Sequence, residues 1–212
     1  MKIIDPSYTI MRPQAFTVDT VSAIYSAIAT AARTCYQSTG YNDAQLVKRL
    51  VASGHDAMLE HATMTVRFTV DRGVSHELVR HRLASYAQES TRYCNYSKGK
   101  FGREITVIRP QLDEGSTVYE LWLNGCMDAG RYYFWLLNEG VSPELARSVL
   151  PHSIKTEVVM TANMREWRHF FKLRALGTTG KPHPQMAQVA MPLLKECAEA
   201  MPELFGDLME GI

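Results

Sequence analysis

Arg80-His81-Arg82-Leu83-Ala84-Ser85-Tyr86-Ala87-Gln88-Glu89-Ser90-Thr91-Arg92 packs arginines and small hydrogen-bonding side chains into one short stretch. Upstream, Ser75 offers a cap for a helix from His76 to about Ala84. Downstream, Ser85 to Arg103 is polar, holds no sustained period and reads as a long functional loop. At about 100° per helical residue, Glu77, Arg80, His81 and Ala84 share one face and Leu78, Val79 and Leu83 form the apolar one, with Arg82 between Leu78 and Val79. A guanidinium on an apolar stripe needs a partner, because an unpaired buried charge costs too much to keep. Each arginine alone could pair with a carboxylate or reach past its neighbours to water. Clustered with Ser85, Gln88, Ser90 and Thr91, they suit a phosphorylated anionic ligand, since guanidinium binds phosphate bidentately.

Outward from this stretch, two segments alternate as strands. Met64, Val66, Phe68 and Val70 point one way within Thr63–Val70, and Ile154–Ala162 repeats the pattern. Glu104–Ile108 is a further short strand, stopped by Pro110. Helical spacing predicts a helix over Val18–Ala32 capped by Thr17 or Asp19, and one from Asn42 or Asp43 through Val51 closed by Gly54. A long helix from about Ser116 to Glu139 carries Val118, Leu121, Trp122, Tyr132, Tyr133 and Leu136, and Gly140 ends it. Ser142 and Pro143 open a short helix holding Arg147, which Pro151 terminates. Asn163 caps a helix to about Leu176, closed by Gly177, with Met164, Trp167, Phe170 and Phe171 on its core face. Arg174 projects between Trp167 and Phe170, and Arg165 and His169 share another side. Pro184 and Pro202 open two last helices, the first bent at Pro192. Strands separated by more numerous helices predict a mixed α/β (α+β), helix-rich single domain, residues 1–212, around a small sheet.

The 212 residues are 46% hydrophobic and 21% charged, the composition of an ordered globular chain. A formal net charge of +1 supplies no general attraction to nucleic acid or to anionic membrane, so any anion is held locally. No apolar run reaches the roughly 20 residues of a membrane helix, and Met1-Lys2-Ile3-Ile4-Asp5-Pro6 has no signal-peptide core, which predicts a cytoplasmic protein. Cys35, Cys94, Cys126 and Cys197 lack paired spacing and read as reduced thiols. His76 and His81 sit about 140° apart on a helix and cannot chelate one metal from it, and His55, Glu60 and His61 lack ligand spacing, so no metal is expected. Neither G-x-G-x-x-G nor G-x-x-x-x-G-K-[ST] occurs, which places any nucleotide outside the dinucleotide-fold and P-loop schemes. Ser90 has no base to activate it as a nucleophile, so hydrogen bonding to ligand is its expected role.

Arg80-His81-Arg82, seven residues and then Ser90 resembles the R-H-R…S signature of the flavin-dependent thymidylate synthases, and Arg92-Tyr93 extends it. The likeness continues through His55, Glu60-His61, Ala146–Pro151 and Asn163–Arg174. It implies the thymidylate synthase-complementing fold and the reductive methylation of dUMP to dTMP. The one-carbon group would come from 5,10-methylenetetrahydrofolate and the reducing equivalents from NADPH through FAD. It also implies a homotetramer with active sites between subunits. Carried over residue by residue, it puts Glu77, Arg80, Gln88, Glu89, Ser90, Thr91, Arg92, Arg147 and Arg174 around dUMP. Around FAD it puts His55, Arg80, His81, Arg82, Gln88, Asn163, Met164, Arg165 and His169. The counterpart of Arg174 favours ionisation of uracil N3, which makes that residue the expected catalytic group. Ala57, Cys35, Gln88 and His169 depart from the family's commoner residues. A non-catalytic nucleotide-binding homologue and a nucleic-acid-binding module stand as the alternatives, the near-neutral charge counting against the second.

Overall fold

Met64, Val66, Phe68 and Val70 lose all contact with solvent while Thr65, Arg67 and Thr69 stay half-buried, so the first alternating stretch folds as a strand, Thr63–Asp71. The second does the same over Lys155–Asn163, with Thr156, Val158, Met160 and Ala162 inward. The computed structural model describes residues 1–40, 42–99, 102 and 104–210. Its elements are β1 (Lys2–Ile4), β2 (Ser7–Arg12), α1 (Val18–Tyr36), α2 (Asp43–Ala52), β3 (Thr63–Asp71), α3 (Arg72–Leu78), β4 (Ala84–Gln88), β5 (Thr106–Ile108), α4 (Thr117–Asn138), α5 (Pro143–Ala146), β6 (Lys155–Asn163), α6 (Met164–Arg174), α7 (Pro184–Ala200) and α8 (Pro202–Phe205). Short 3-10 turns lie at Asp56–His61, Arg147–Val149 and Gly206–Met209. A four-stranded sheet has the order β2-β3-β6-β4, and β1 pairs with β5 in parallel, Ile3 opposite Val107. The mixed, helix-rich class expected from the sequence is the class observed. The strands β1 and β2 were not anticipated.

By packing, the chain divides into two units. One comprises Met1–Ser7, Phe68–Arg80 and Ala87–Val158, the other Tyr8–Arg67, His81–Tyr86 and Val159–Ile212. In the first, Tyr96, Val107, Cys126, Tyr133, Ala146 and Ile154 form the core. Helix α4 starts at the cap Ser116, whose hydroxyl accepts from Tyr119 N, and stops where Gly140 takes φ +83°. Its buried residues are Tyr119, Cys126, Gly130 and Tyr133. Val118, Leu121 and Tyr132, expected among its packing residues, are instead exposed, together with Trp135.

In the second unit, Thr17 and Thr20 cap α1 reciprocally, and Asn42 caps α2 through Gln45 N. Gly54, at φ +67°, closes α2 as expected. Asn163 Oδ1 accepts Glu166 N at 2.8 Å and starts α6. That helix buries Met164, Trp167, Phe170 and Phe171. Their rings pack in edge and tilted contacts, Trp167 to Phe170 at 5.4 Å and Phe171 to Phe205 at 5.6 Å, and Trp167 Nε1 donates to Met64 O at 3.0 Å. Each fully buried ring of this size stabilises the fold by about 1.5–3 kcal/mol. Arg168, also buried on α6, forms a two-pronged pair with Asp207 at 2.7 and 2.6 Å and donates to Leu204 O.

The segment around the arginine stretch differs from expectation. Asp71, not Ser75, caps the helix, its carboxylate accepting Val74 N at 2.7 Å, and α3 ends at Leu78. Ser75 is buried inside the helix and donates to Arg72 O at 2.8 Å. The chain then turns, Arg80 N donating to Glu77 O, and Ala84–Gln88 becomes strand β4 beside β6. Arg80, His81 and Arg82 therefore lie on a turn, and the helical-face argument that placed Arg82 between Leu78 and Val79 does not hold. Sheet pairing outweighs weak local helix preference here. Of the expected Ser85–Arg103 loop, residues 85–88 are strand, 89–99 and 102 are turns and irregular chain, and 100, 101 and 103 lie outside the described residues.

Candidate active site

In the second unit, the turn ahead of β4 and the helix α6 meet at His81. The ring is 4% exposed and uses both nitrogens. Arg174 Nε donates to His81 Nε2 at 3.1 Å, so Nε2 is the acceptor. Nδ1 then carries the ring proton and donates it to Glu166 Oε1 at 2.9 Å, the carboxylate itself being buried. Tyr86 anchors the same turn by donating to His81 O at 2.7 Å. Burial holds His81 below its ordinary pKa, against the pull of Glu166 and with the help of the Arg174 guanidinium and His169. A neutral, Nδ1-protonated imidazole is therefore the form that joins Glu166 to Arg174.

Beside this chain lies a cavity of about 360 Å³ lined by Asp56, Leu83, Arg165, Glu166, Arg168, His169 and Lys172. Arg165 pairs with Glu60 at 2.6 Å. A second cavity of about 300 Å³, with Ala32, Leu50, His55, Ala57 and Met58 in its wall, shares Asp56 with the first. The two offer cationic groups on one side of Asp56 and apolar surface on the other. That combination fits a bulky group carrying both phosphate and aromatic rings. Among the described residues, His81, Glu166 and His169 offer ligand atoms within 4.8 Å of one another. Because Arg174 donates to His81 Nε2, a cation at that nitrogen would have to displace a guanidinium, so the cluster reads as a hydrogen-bonded chain and not a metal centre.

In the first unit, residues 88–92 are tied down individually. Gln88 Nε2 donates to Ser75 Oγ at 2.9 Å and Thr156 Oγ1 at 3.3 Å, and Glu89 pairs with Lys155 at 2.7 Å. Ser90 Oγ accepts Arg92 N at 3.2 Å, and Arg92 Nε meets Glu144 at 2.9 Å. Arg147 reaches back from the turn after α5, donating through Nη1 to Thr91 Oγ1 at 3.0 Å and through Nε to Glu144 O at 3.2 Å. Thr91 and Arg147 line a cavity of about 270 Å³ with Arg72, His76, Ser148 and His152, and the His76 and His152 rings meet edge-on at 5.5 Å. This is a basic, hydroxyl-bearing cleft suited to an anion.

The site residues expected from the sequence fall into two groups. His55, His81, Arg165, His169 and Arg174 cluster in the second unit, and Gln88, Glu89, Ser90, Thr91, Arg92 and Arg147 in the first. Asn163 uses its side chain as the α6 cap, and Met164 is fully buried in the core. Arg80 and Arg82 are exposed and Glu77 is half-buried. Glu166, Asp56, Lys172, Arg72 and Glu144 were not anticipated. Glu166 had one local signal, its place three residues after the cap Asn163, and that signal speaks for a helix start only. The four cysteines are free thiols, as expected. Among the described residues, no helix is long and apolar enough to cross a membrane.

The family model described as thymidylate synthase complementing protein matches residues 18–203. The flavin-dependent thymidylate synthase of Geobacter sulfurreducens is 32% identical over 197 residues, covering 88% of this chain and 82% of that one. That of Corynebacterium aurimucosum is 36% identical over 195 residues, covering 84% and 77%. That of Pyrococcus furiosus is 36% identical over 154 residues, and there the match spans 71% of this chain but only 61% of the relative. In three dimensions, the UMP/dUMP methylase PolB from Streptomyces cacaoi, solved with 5-Br dUMP, aligns with a TM-score of 0.76 at 22% identity, covering 99% of this chain and 97% of that one. A likeness at that identity speaks for a shared fold.

Proposed function

The chain belongs to the thymidylate synthase complementing protein family, the flavin-dependent thymidylate synthases, and from that membership we propose that it methylates dUMP to dTMP with FAD as its redox group. The observation that carries the reading is that His55, Arg165 and His169, assigned to flavin on sequence grounds, line two cavities sharing Asp56. Arg165 and Lys172 supply positive charge and His169 a ring nitrogen for a pyrophosphate, and Ala32, Leu50, Ala57 and Met58 supply apolar surface for a ring. Bound there, the flavin supplies the hydride that no side chain can. Arg80, Arg82, Gln88 and the backbone around Asn163 and Met164 complete the proposed flavin contacts.

On the substrate side, Arg92 and Arg147 supply guanidinium groups for the phosphate, while Gln88, Ser90 and Thr91 supply hydrogen bonds. Glu77, Arg80 and Glu89 complete this set. Arg174 stabilises negative charge at uracil N3, which raises the electron density at C5 where the new carbon bond forms. The one-carbon donor is 5,10-methylenetetrahydrofolate and the reductant NADPH. The working form is a homotetramer. Exposed Val118, Leu121, Tyr132 and Trp135 on α4 support assembly, since a row of large apolar side chains on one helix is costly to leave in water. Protein purified with FAD should show flavin absorption and form dTMP only when dUMP, the folate and NADPH are all present. Neither flavin binding nor dTMP formation in that mixture would refute the reading.

A further inference from the structure

We infer that His81 and Glu166 are positioning residues that orient Arg174, acting through the chain Glu166 Oε1, His81 Nδ1–H, His81 Nε2 and Arg174 Nε–H. The inference rests on the proposed role of Arg174 toward the pyrimidine and extends it to two residues that act through it. A lone arginine on the last turn of a helix has four side-chain torsions to hold. His81 Nε2, a directed acceptor at 3.1 Å, holds the ε edge of the guanidinium in one orientation. His81 can serve only as the neutral ring with its proton on Nδ1, and the buried carboxylate of Glu166 selects that tautomer, much as carboxylates orient imidazoles at other sites. The ring is further held by Phe170, edge-on at 5.2 Å, and by the Tyr86 hydroxyl on its own carbonyl. Protonation of His81 would both remove the acceptor and place a cation against the guanidinium. The groups facing the ring are Glu166, His169 and Arg174 from α6 and Tyr86 from β4. Of these, Glu166 alone favours its protonated form.

Two substitutions separate positioning from mere packing. Asn in His81→Asn can keep the donor to Glu166 but offers nothing at the position of Nε2, whereas Gln in His81→Gln can place an amide oxygen there. In the flavin-loaded enzyme, kcat of His81→Asn should fall by about 10- to 100-fold with flavin absorbance per chain and melting temperature maintained. His81→Gln should recover much of that loss, and the decline of kcat on the acid side of the wild-type profile should disappear because an amide does not titrate. Equal kcat in the two variants, an unchanged acid limb in His81→Gln, or parallel loss of flavin and folded structure in both would overturn the inference. A wild-type protein that forms no dTMP would sink the parent reading instead. The chain itself is then read from the nitrogen NMR spectrum of histidine-labelled protein. A neutral His81 protonated on Nδ1, with a pKa that rises in Arg174→Met, supports it, and a ring protonated on Nε2 overturns it whatever the activity.

Discussion

Replacing Arg174 by alanine removes a half-buried guanidinium from the end of α6 and leaves His81 Nε2 without its 3.1 Å donor. For a site at the edge of the protein, where an effective dielectric near 20 applies, a unit charge about 4 Å from a developing anion is worth about 4 kcal/mol. Loss of a single preorganised donor at a developing oxyanion costs roughly 2.7–4 kcal/mol, or about 10²- to 10³-fold in kcat, which agrees. Arg174→Ala should therefore lose about two to three orders of magnitude in turnover while retaining flavin. Arg174→Lys should fall between the two, since it keeps the charge but not the ε donor fixed by His81. Single-turnover formation of dTMP from dUMP, at equal flavin occupancy judged by visible absorption, separates chemistry from cofactor retention. Arg82→Ala supplies the contrast. Arg82 is exposed on the turn, and its loss should weaken flavin retention first. Wild-type turnover in Arg174→Ala, or matched losses of flavin and turnover in both variants, would refute this division of roles.

Three further outcomes follow from the packing. Arg168→Met leaves Leu204 O and the Asp207 carboxylate without their guanidinium. Because the Asp207 side chain is 44% exposed and can return to water, urea unfolding should show a loss of about 2–3 kcal/mol, below the ~3–5 of a fully buried pair. Desolvation raises the Asp207 carboxyl, but Arg168, aided by Lys172 and a backbone hydrogen bond, outweighs it and holds the group below its ordinary value of 3.8. The stabilisation is thus complete above that value and is lost as the pH falls through the lower folded one, a loss that Arg168→Met should abolish in acid unfolding. Asn163→Asp keeps an oxygen for Glu166 N, whereas Asn163→Ala forfeits the cap at about 1 kcal/mol. If flavin is lost in the alanine variant alone, Asn163 acts by starting α6. If it is lost in both, the side chain meets the cofactor. Finally, Leu121→Lys with Trp135→Lys should shift sedimentation toward smaller species, and an unchanged assembly would remove α4 from the proposed contact.

The parts of the fold that could be read from the sequence are those whose cause is local. The period-2 burial of β3, the caps Thr17, Asn42 and Asn163, and the helix ends at Gly54, Gly140 and Gly177 each depend on a few adjacent residues. The failures have long-range causes. Ala84–Gln88 carries no strong strand signal and is extended because β6 pairs with it. The exposed apolar side chains of α4 satisfy helical spacing as well as its core side does, so periodicity finds the helix but not which face is buried.

The same distinction explains the site. Spacing between Arg80, Arg82 and Ser90 marks the stretch, but a charge misplaced on a helical stripe does not account for its arginines, because α3 ends at Leu78. Arg174 is expected to need a partner because its helical position falls between Trp167 and Phe170, on the side of α6 that carries the core aromatics. One partner is an imidazole 93 residues away, itself bonded to a carboxylate 85 residues from it. Neither separation leaves a pattern in a single chain. His81, between the two arginines of the motif, looked from sequence like one more ligand contact. Its ring is buried, with Nδ1 against Glu166 and Nε2 against Arg174, and these two bonds join residues from distant parts of the chain in a way that spacing alone does not reveal.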